Sequence, residues 1–284
     1  MSPRARRTLV VVTTALLFAA CGSSGGAAHL GHVPARPTPR AGGKPSAPAG
    51  TPTARHFGGL ATVGPLFPPG ATIHTCTASV VDSPARDLLL TAAHCITGSG
   101  KGYVFAPGYH DGVEPYGTWT VVAAYGVPSW IAHQAPQSDL AFLTVAPHQL
   151  HGKPQEIQDV TGADRLGSAP APGARVTVPA YVLGSNDKPI TCTAHVYDHA
   201  GYPAFNCHRY AAGTSGAPWI ERTSHGSVVV GVIGGLHQGG CFSWTSYSAN
   251  FTSTMLRSAL RSASRGVTSS FPPAGSDGCP ATGS

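Results

Sequence analysis

From His56 onward the chain is a succession of short apolar or alternating runs separated by turn residues. They are ATIHTCTASVV (71–81), LLLT (88–91), TWTVVAAYGV (118–127), DLAFLTV (139–145), ARVTVPAYVL (174–183), ITCTAHVY (190–197), SVVVGVIGG (227–235) and SWTSYSA (243–249). Short β-rich runs bounded by Gly, Pro and Asp predict strands, and many of them in series predict an all-β architecture of barrels or sandwiches. One segment breaks the pattern. In STMLRSALRSASRG (253–266), Leu256, Ala259, Leu260 and Ala263 fall on one helical face and Arg257, Arg261 and Arg265 on another. Thr252 or Ser253 can cap its start and Gly266 can end it. Beyond it, 268–284 reads as a loose tail with one fixed point, Cys279.

Before His56 the pattern is different. Arg4, Arg6 and Arg7 precede an apolar run from Thr8 to Ala20. A membrane-spanning helix needs about 20 apolar residues, so this run predicts a secretory signal over 1–21. Its end, Phe18-Ala19-Ala20-Cys21, resembles the lipobox of bacterial lipoproteins, which implies a lipid on Cys21. A single chain of that kind tethers weakly on its own. The expected location is therefore secreted or anchored to the outer face of the cell membrane. Residues 22–55 are rich in Gly, Pro, Ala and Ser with almost no large apolar residues, the composition of a disordered spacer. His29 and His32 in that tract do not make a metal site.

The basic character of the whole sequence belongs to these leading segments. From residue 56 onward there are eleven Lys and Arg against twelve Asp and Glu, a formal charge of −1. That balance gives no basis for nucleic-acid binding. With Cys21 set aside, six cysteines remain: Cys76, Cys95, Cys192, Cys207, Cys241 and Cys279. An even number in an exported chain predicts disulfides, and six cysteines allow 15 connectivities. Cys192 and Cys207 bracket a predicted hairpin, which favours their pairing.

Three short motifs carry the chemistry. TAAHC (91–95) follows the strand LLLT. SDLAFLTV (138–145) places Asp139 at the head of an apolar strand, 45 residues after His94. GTSGAP (213–218) sets Ser215 among small residues. A serine hydroxyl is a poor nucleophile at neutral pH and needs a base within hydrogen-bond reach. Each motif has a plainer reading alone: a turn serine, a strand-capping aspartate (for which Asp82 and Asp111 are rivals), a His–Cys metal pair. The sequon Asn250-Phe-Thr252 is read as a chance match at the helix cap.

Taken in order, His, Asp and Ser in an exported all-β chain resemble the chymotrypsin-fold serine proteases, over roughly residues 57–266. The resemblance implies two packed antiparallel β-barrels with a C-terminal helix. It implies His94 as general base, Asp139 as its orienting carboxylate and Ser215 as nucleophile, with the N–H groups of Gly213 and Ser215 as oxyanion hole. It also implies a Cys76–Cys95 bridge, which leaves Cys241 for Cys279. Pocket walls are expected from Arg209, Tyr210, Gly234, Gly235 and Leu236. The expected partner is a protein or peptide substrate, and the expected protein is a monomer needing no metal and no organic cofactor.

The chain also departs from that family. Trypsin-like enzymes carry Asp just before the serine, where it pairs with a freshly cut Ile-Val-Gly-Gly terminus. Here the position is Thr214, and the nearest upstream match is Phe57-Gly58-Gly59-Leu60. No buried ammonium switch is expected, so extra residues before His56 should leave activity intact. Ala211 stands where those enzymes have a cysteine. No acidic residue marks the pocket base, and Ile233 stands about where glutamyl endopeptidases place a histidine, with His237 close by. Two alternatives share these residues: a catalytically silent module that binds peptides or cell-wall material, and an esterase using the same triad.

Overall fold

The computed structural model describes residues 45–150, 152–184 and 187–280. The expected signal segment, the lipidation candidate Cys21, most of the expected spacer and the last four residues lie outside them. The described residues from 46 onward group as one compact unit.

The first half closes into a six-stranded antiparallel barrel. Its strands, in order around the barrel, are Val63–Phe67, Cys76–Val80, Leu88–Thr91, Ala141–Val145, Trp119–Gly126 and Val104–Phe105. Closure removes both sheet edges. The inward residues Leu66, Ala78, Leu89, Phe105, Trp119 and Leu143 fill the interior. Val63–Phe67 was not legible as a strand because Pro65 interrupts it and cannot donate to a ladder.

The second half is built from two sheets around one core. A six-stranded sheet runs Arg55–His56, Ile190–His195, Arg175–Ala180, Pro218–Thr223, Gly226–Val232 and Arg165–Leu166. A three-stranded sheet runs Tyr197–His199, Tyr202–Asn206 and Thr245–Tyr247. Phe205 from the smaller sheet packs edge-on to Trp219 from the larger, at 4.9 Å between ring centres, and both are fully buried. The disulfide Cys192–Cys207 joins the two sheets beside them. The result is the all-β, barrel-like architecture expected from the strand pattern.

The predicted helix forms at Ser253–Ser264, with the Thr252 hydroxyl accepting from the Met255 N–H at 3.2 Å. Leu256 and Ala259 are buried in a cluster with Leu88, Phe142 and Ile220, residues of both halves. Among the described residues no helix is long and apolar enough to cross a membrane.

Both ends of the described chain are more ordered than their composition suggests. Within the expected spacer, Ala54 is buried, its N–H donates to the His208 carbonyl, and Arg55–His56 pairs with Ile190–Thr191. Small residues and prolines hide this because the pairing uses backbone groups only. In the tail, Phe271 is buried in the first barrel's core and exchanges two backbone hydrogen bonds with Gly98, at 2.7 and 2.9 Å. The tail is pinned well before Cys279, contrary to the loose reading.

Candidate active site

His94 sits in the 3-10 turn Ala93–Cys95, directly after the strand Leu88–Thr91. The Cys76–Cys95 disulfide ties that turn to the adjoining strand Cys76–Val80. Asp139 follows the turn Pro136–Ser138 and leads into the strand Ala141–Val145. The two strands pair antiparallel with Thr91 opposite Ala141. That register sets the end of one beside the start of the other, so two residues 45 positions apart become neighbours.

Asp139 is completely buried and accepts three hydrogen bonds. The backbone N–H of His94 donates to Oδ1 at 2.9 Å. His94 Nδ1 lies 2.7 Å from Oδ2, and the N–H of Gly235 donates to the same oxygen at 2.8 Å. A buried carboxylate is tolerable when its lone pairs are matched in this way. The arrangement holds the imidazole proton on Nδ1 and leaves Nε2 as the basic nitrogen.

Ser215 stands on a loop whose carbonyls are tied back. The Leu183 N–H donates to Ala212 O at 2.7 Å, the Thr77 hydroxyl to Gly213 O at 3.2 Å, and the Thr77 N–H to Ser215 O at 2.8 Å. Thr77 in turn accepts from the Tyr181 N–H at 3.0 Å. The amides of Thr214, Gly216 and Ala217 are consumed by Ala211 O, Ile233 O and Thr214 O. Those of Gly213 and Ser215 have no acceptor among the described residues.

The two flanking glycines are required by space and by torsion. Gly213 has φ of +93°, and a Cβ there would lie 2.1 Å from the Leu183 nitrogen. Gly216 has φ of +80°, and a Cβ there would lie 2.2 Å from both Thr77 O and Thr91 Oγ1. Only glycine meets both demands.

His94 and Ser215 line one cavity of about 500 Å³. Its other walls include Tyr210–Thr214, Ile233, the loop His237–Ser243 and Asp277. Of the five residues expected as pocket walls, Tyr210 lines this cavity. Its hydroxyl donates to the Val178 carbonyl, and burial pushes its pKa far above the usual phenol value. Arg209 does not line it: it is exposed, and its guanidinium donates to Ala54 O at 3.3 Å, toward the N-terminal segment. Gly234, Gly235 and Leu236 also lie outside the lining. Gly235 serves Asp139 instead, and Leu236 packs with Tyr202 and Tyr247.

Sequence reasoning missed two contributors. Thr77 braces the serine loop from the opposite half, and the one available signal was a hydroxyl residue inside a fully buried strand. Asp277 reaches the cavity from a tail that shows no pattern. The cysteines form three bonds, Cys76–Cys95, Cys192–Cys207 and Cys241–Cys279.

Comparison with known proteins bears on the fold and the family. A family model described as a trypsin-like peptidase domain matches residues 76–232. No curated protein matches the chain in sequence. Among solved structures, the protease Anisep from Arthrobacter nicotinovorans is similar at TM-score 0.63 and 23% identity, over 75% of this chain and 100% of that one. A thermostable serine protease, AL20, from an extremophilic microorganism matches at 0.60 and 19%, over 72% and 97%. A Glu endopeptidase solved with MPD matches at 0.56 and 14%, over 76% and 98%. These likenesses share the fold described above. The chain belongs to the trypsin-like peptidase domain family and is a serine endopeptidase.

Proposed function

We propose that the protein cleaves peptide bonds through Ser215, His94 and Asp139 by way of an acyl-enzyme. The observation that carries this reading is the buried Asp139–His94 pair opening onto the same cavity as Ser215. Ser215 Oγ attacks the scissile carbonyl carbon while its proton passes to His94 Nε2. The carbonyl π electrons move onto oxygen, and the oxyanion accepts hydrogen bonds from the unclaimed N–H groups of Gly213 and Ser215. Collapse expels the amine, which takes the proton from His94. Water then repeats the sequence in reverse roles, releasing the acid and restoring Ser215. Asp139 holds the imidazole in the productive tautomer and stabilises its cation.

The substrate is a protein or peptide in extended form, with one side chain in the cavity beside Tyr210 and Ile233. Activation needs no inserted N-terminal ammonium. The Thr214 hydroxyl donates to Ala211 O at 2.7 Å, and residues 52–56 are engaged with His208 and the strand Ile190–His195. The leader predicts an exported protein, free or held by lipid on Cys21. The three disulfides are compatible with an oxidising compartment.

Digestion of an unfolded protein substrate tests the reading. The wild-type chain should yield fragments, and Ser215→Ala should yield none. Equal digestion by both would refute it.

A further inference from the structure

The loop that borders the cavity opposite the serine holds an unfavourable conformation. His237 and Gln238 are consecutive non-glycine residues in the left-handed region, at φ of 53° and 51°. Such torsions persist only where surrounding contacts determine them. Here those contacts come from the loop's own backbone, with the Gln238 N–H donating to Gly235 O at 3.0 Å and the Gly240 N–H to His237 O at 3.1 Å, and from the C-terminal tail. His237 Nδ1 lies 2.8 Å from Asp277 O, the Gln238 side-chain amide donates to Gly275 O at 2.7 Å, and Cys241 is bonded to Cys279.

The tail is anchored at its other end to the first half. Phe271 is buried there and pairs with Gly98, just after the His94 turn. Gln134 holds the middle with both ends of its amide: Oε1 accepts from the Gly275 N–H at 2.8 Å, and Nε2 donates to Pro273 O at 3.0 Å. Gln134 lies five residues before Asp139 and outside the cavity. One strap thus links the His94 segment, the Asp139 segment and the cavity loop, and it places Asp277 on the cavity wall.

We propose that residues 271–279 are the specificity-determining clamp of this peptidase. They hold the strained loop His237–Cys241 in place and complete the cavity that receives the substrate side chain. The clamp acts on substrate binding and not on the nucleophile, because its hydrogen bonds and its disulfide go to Gly98, Gln134 and the cavity loop, and among the described residues none goes to the Ser215 loop. This inference rests on the proposed cavity being the substrate site.

The test compares wild type, Gln134→Ala, Gln134→Glu and the double variant Cys241→Ala/Cys279→Ala. The readouts are steady-state cleavage of a peptide library and the acylation rate with a small fluorophosphonate. A misplacement of about 1 Å in a positioning element can cost up to ~10²-fold. The double variant should raise KM by about tenfold or more and flatten the preference for the side chain next to the cut. Gln134→Ala should shift KM the same way by about threefold with acylation unchanged, and Gln134→Glu, which keeps the acceptor for the Gly275 N–H but turns a carboxylate oxygen toward Pro273 O, should shift it at least as far. Unchanged KM and an unchanged cleavage profile in both the double variant and Gln134→Ala would overturn the proposal. So would equal loss of kcat and acylation with KM constant. Absence of acylation in the wild type would instead count against the reading of Ser215 as nucleophile.

Discussion

The backbone N–H of Gly235 donates to Asp139 Oδ2 at 2.8 Å, the same oxygen that lies 2.7 Å from His94 Nδ1. A residue of the second half thereby fixes a carboxylate of the first. All three donors facing Asp139 require an acceptor, and an amide in its place would turn an NH₂ toward one of them. Asp139→Asn should therefore leave KM close to wild type and lower kcat by about 10⁴-fold, since the imidazole would settle in the wrong tautomer. Steady-state kinetics on a peptide substrate checks this. A loss of less than about tenfold would mean that Asp139 does not orient the base.

Gly216 joins the halves at a second point. Its Cα hydrogen faces Thr77 O and Thr91 Oγ1, and any Cβ would collide with both. The Thr91 hydroxyl donates to Thr77 O at 2.8 Å, so neither atom is free to retreat. Gly216→Ala should cost about 2–4 kcal/mol of stability and displace the serine loop. Chemical denaturation should show a lower midpoint, and the activity of the remaining folded fraction should also fall. An unchanged midpoint would contradict the close approach.

Asp164 bears on pH. Its carboxyl is nearly buried, and the Thr62 hydroxyl donates to Oδ2 at 3.0 Å. Burial raises its pKa above the ordinary Asp value, only partly offset by hydrogen bonds from Thr62 and Ser227 and by Arg222. The folded state thus keeps this proton to a higher pH than the unfolded chain. Between the two pKa values the folded state binds more protons, so this group lowers stability as pH rises. Above the folded-state pKa the penalty is complete. Asp164→Asn removes that titration. The Tm difference, variant minus wild type, should increase as the pH is raised from below the ordinary Asp value to neutrality. Thermal melts across that range would contradict this if the difference fell or stayed flat.

What could be read from the sequence was local. His94, Asp139 and Ser215 each lie beside a strong strand or a glycine-rich turn, and their order along the chain, which resembles that of the chymotrypsin-fold serine proteases, singled them out. The Cys192–Cys207 bond was legible because its partners bracket one hairpin. The rest depends on contacts between distant backbone groups. Phe271 on Gly98, Gly275 on Gln134 and Ala54 on His208 leave no periodicity in the side chains. Prolines at 65, 203 and 218 disguised three strands in which they occupy tolerated positions. Arg209 was misjudged because proximity to Ser215 in sequence says nothing of direction. Its φ of 82° turns it away from the cavity to Ala54.

The most direct measurement is the site of reaction with a fluorophosphonate. The protein, treated with the probe and digested, should carry one adduct, on the peptide containing Ser215. His94→Ala should slow its formation by several orders of magnitude, because the hydroxyl would lack its base. An adduct elsewhere, or no adduct on correctly folded protein, would contradict the assignment of Ser215 as the nucleophile.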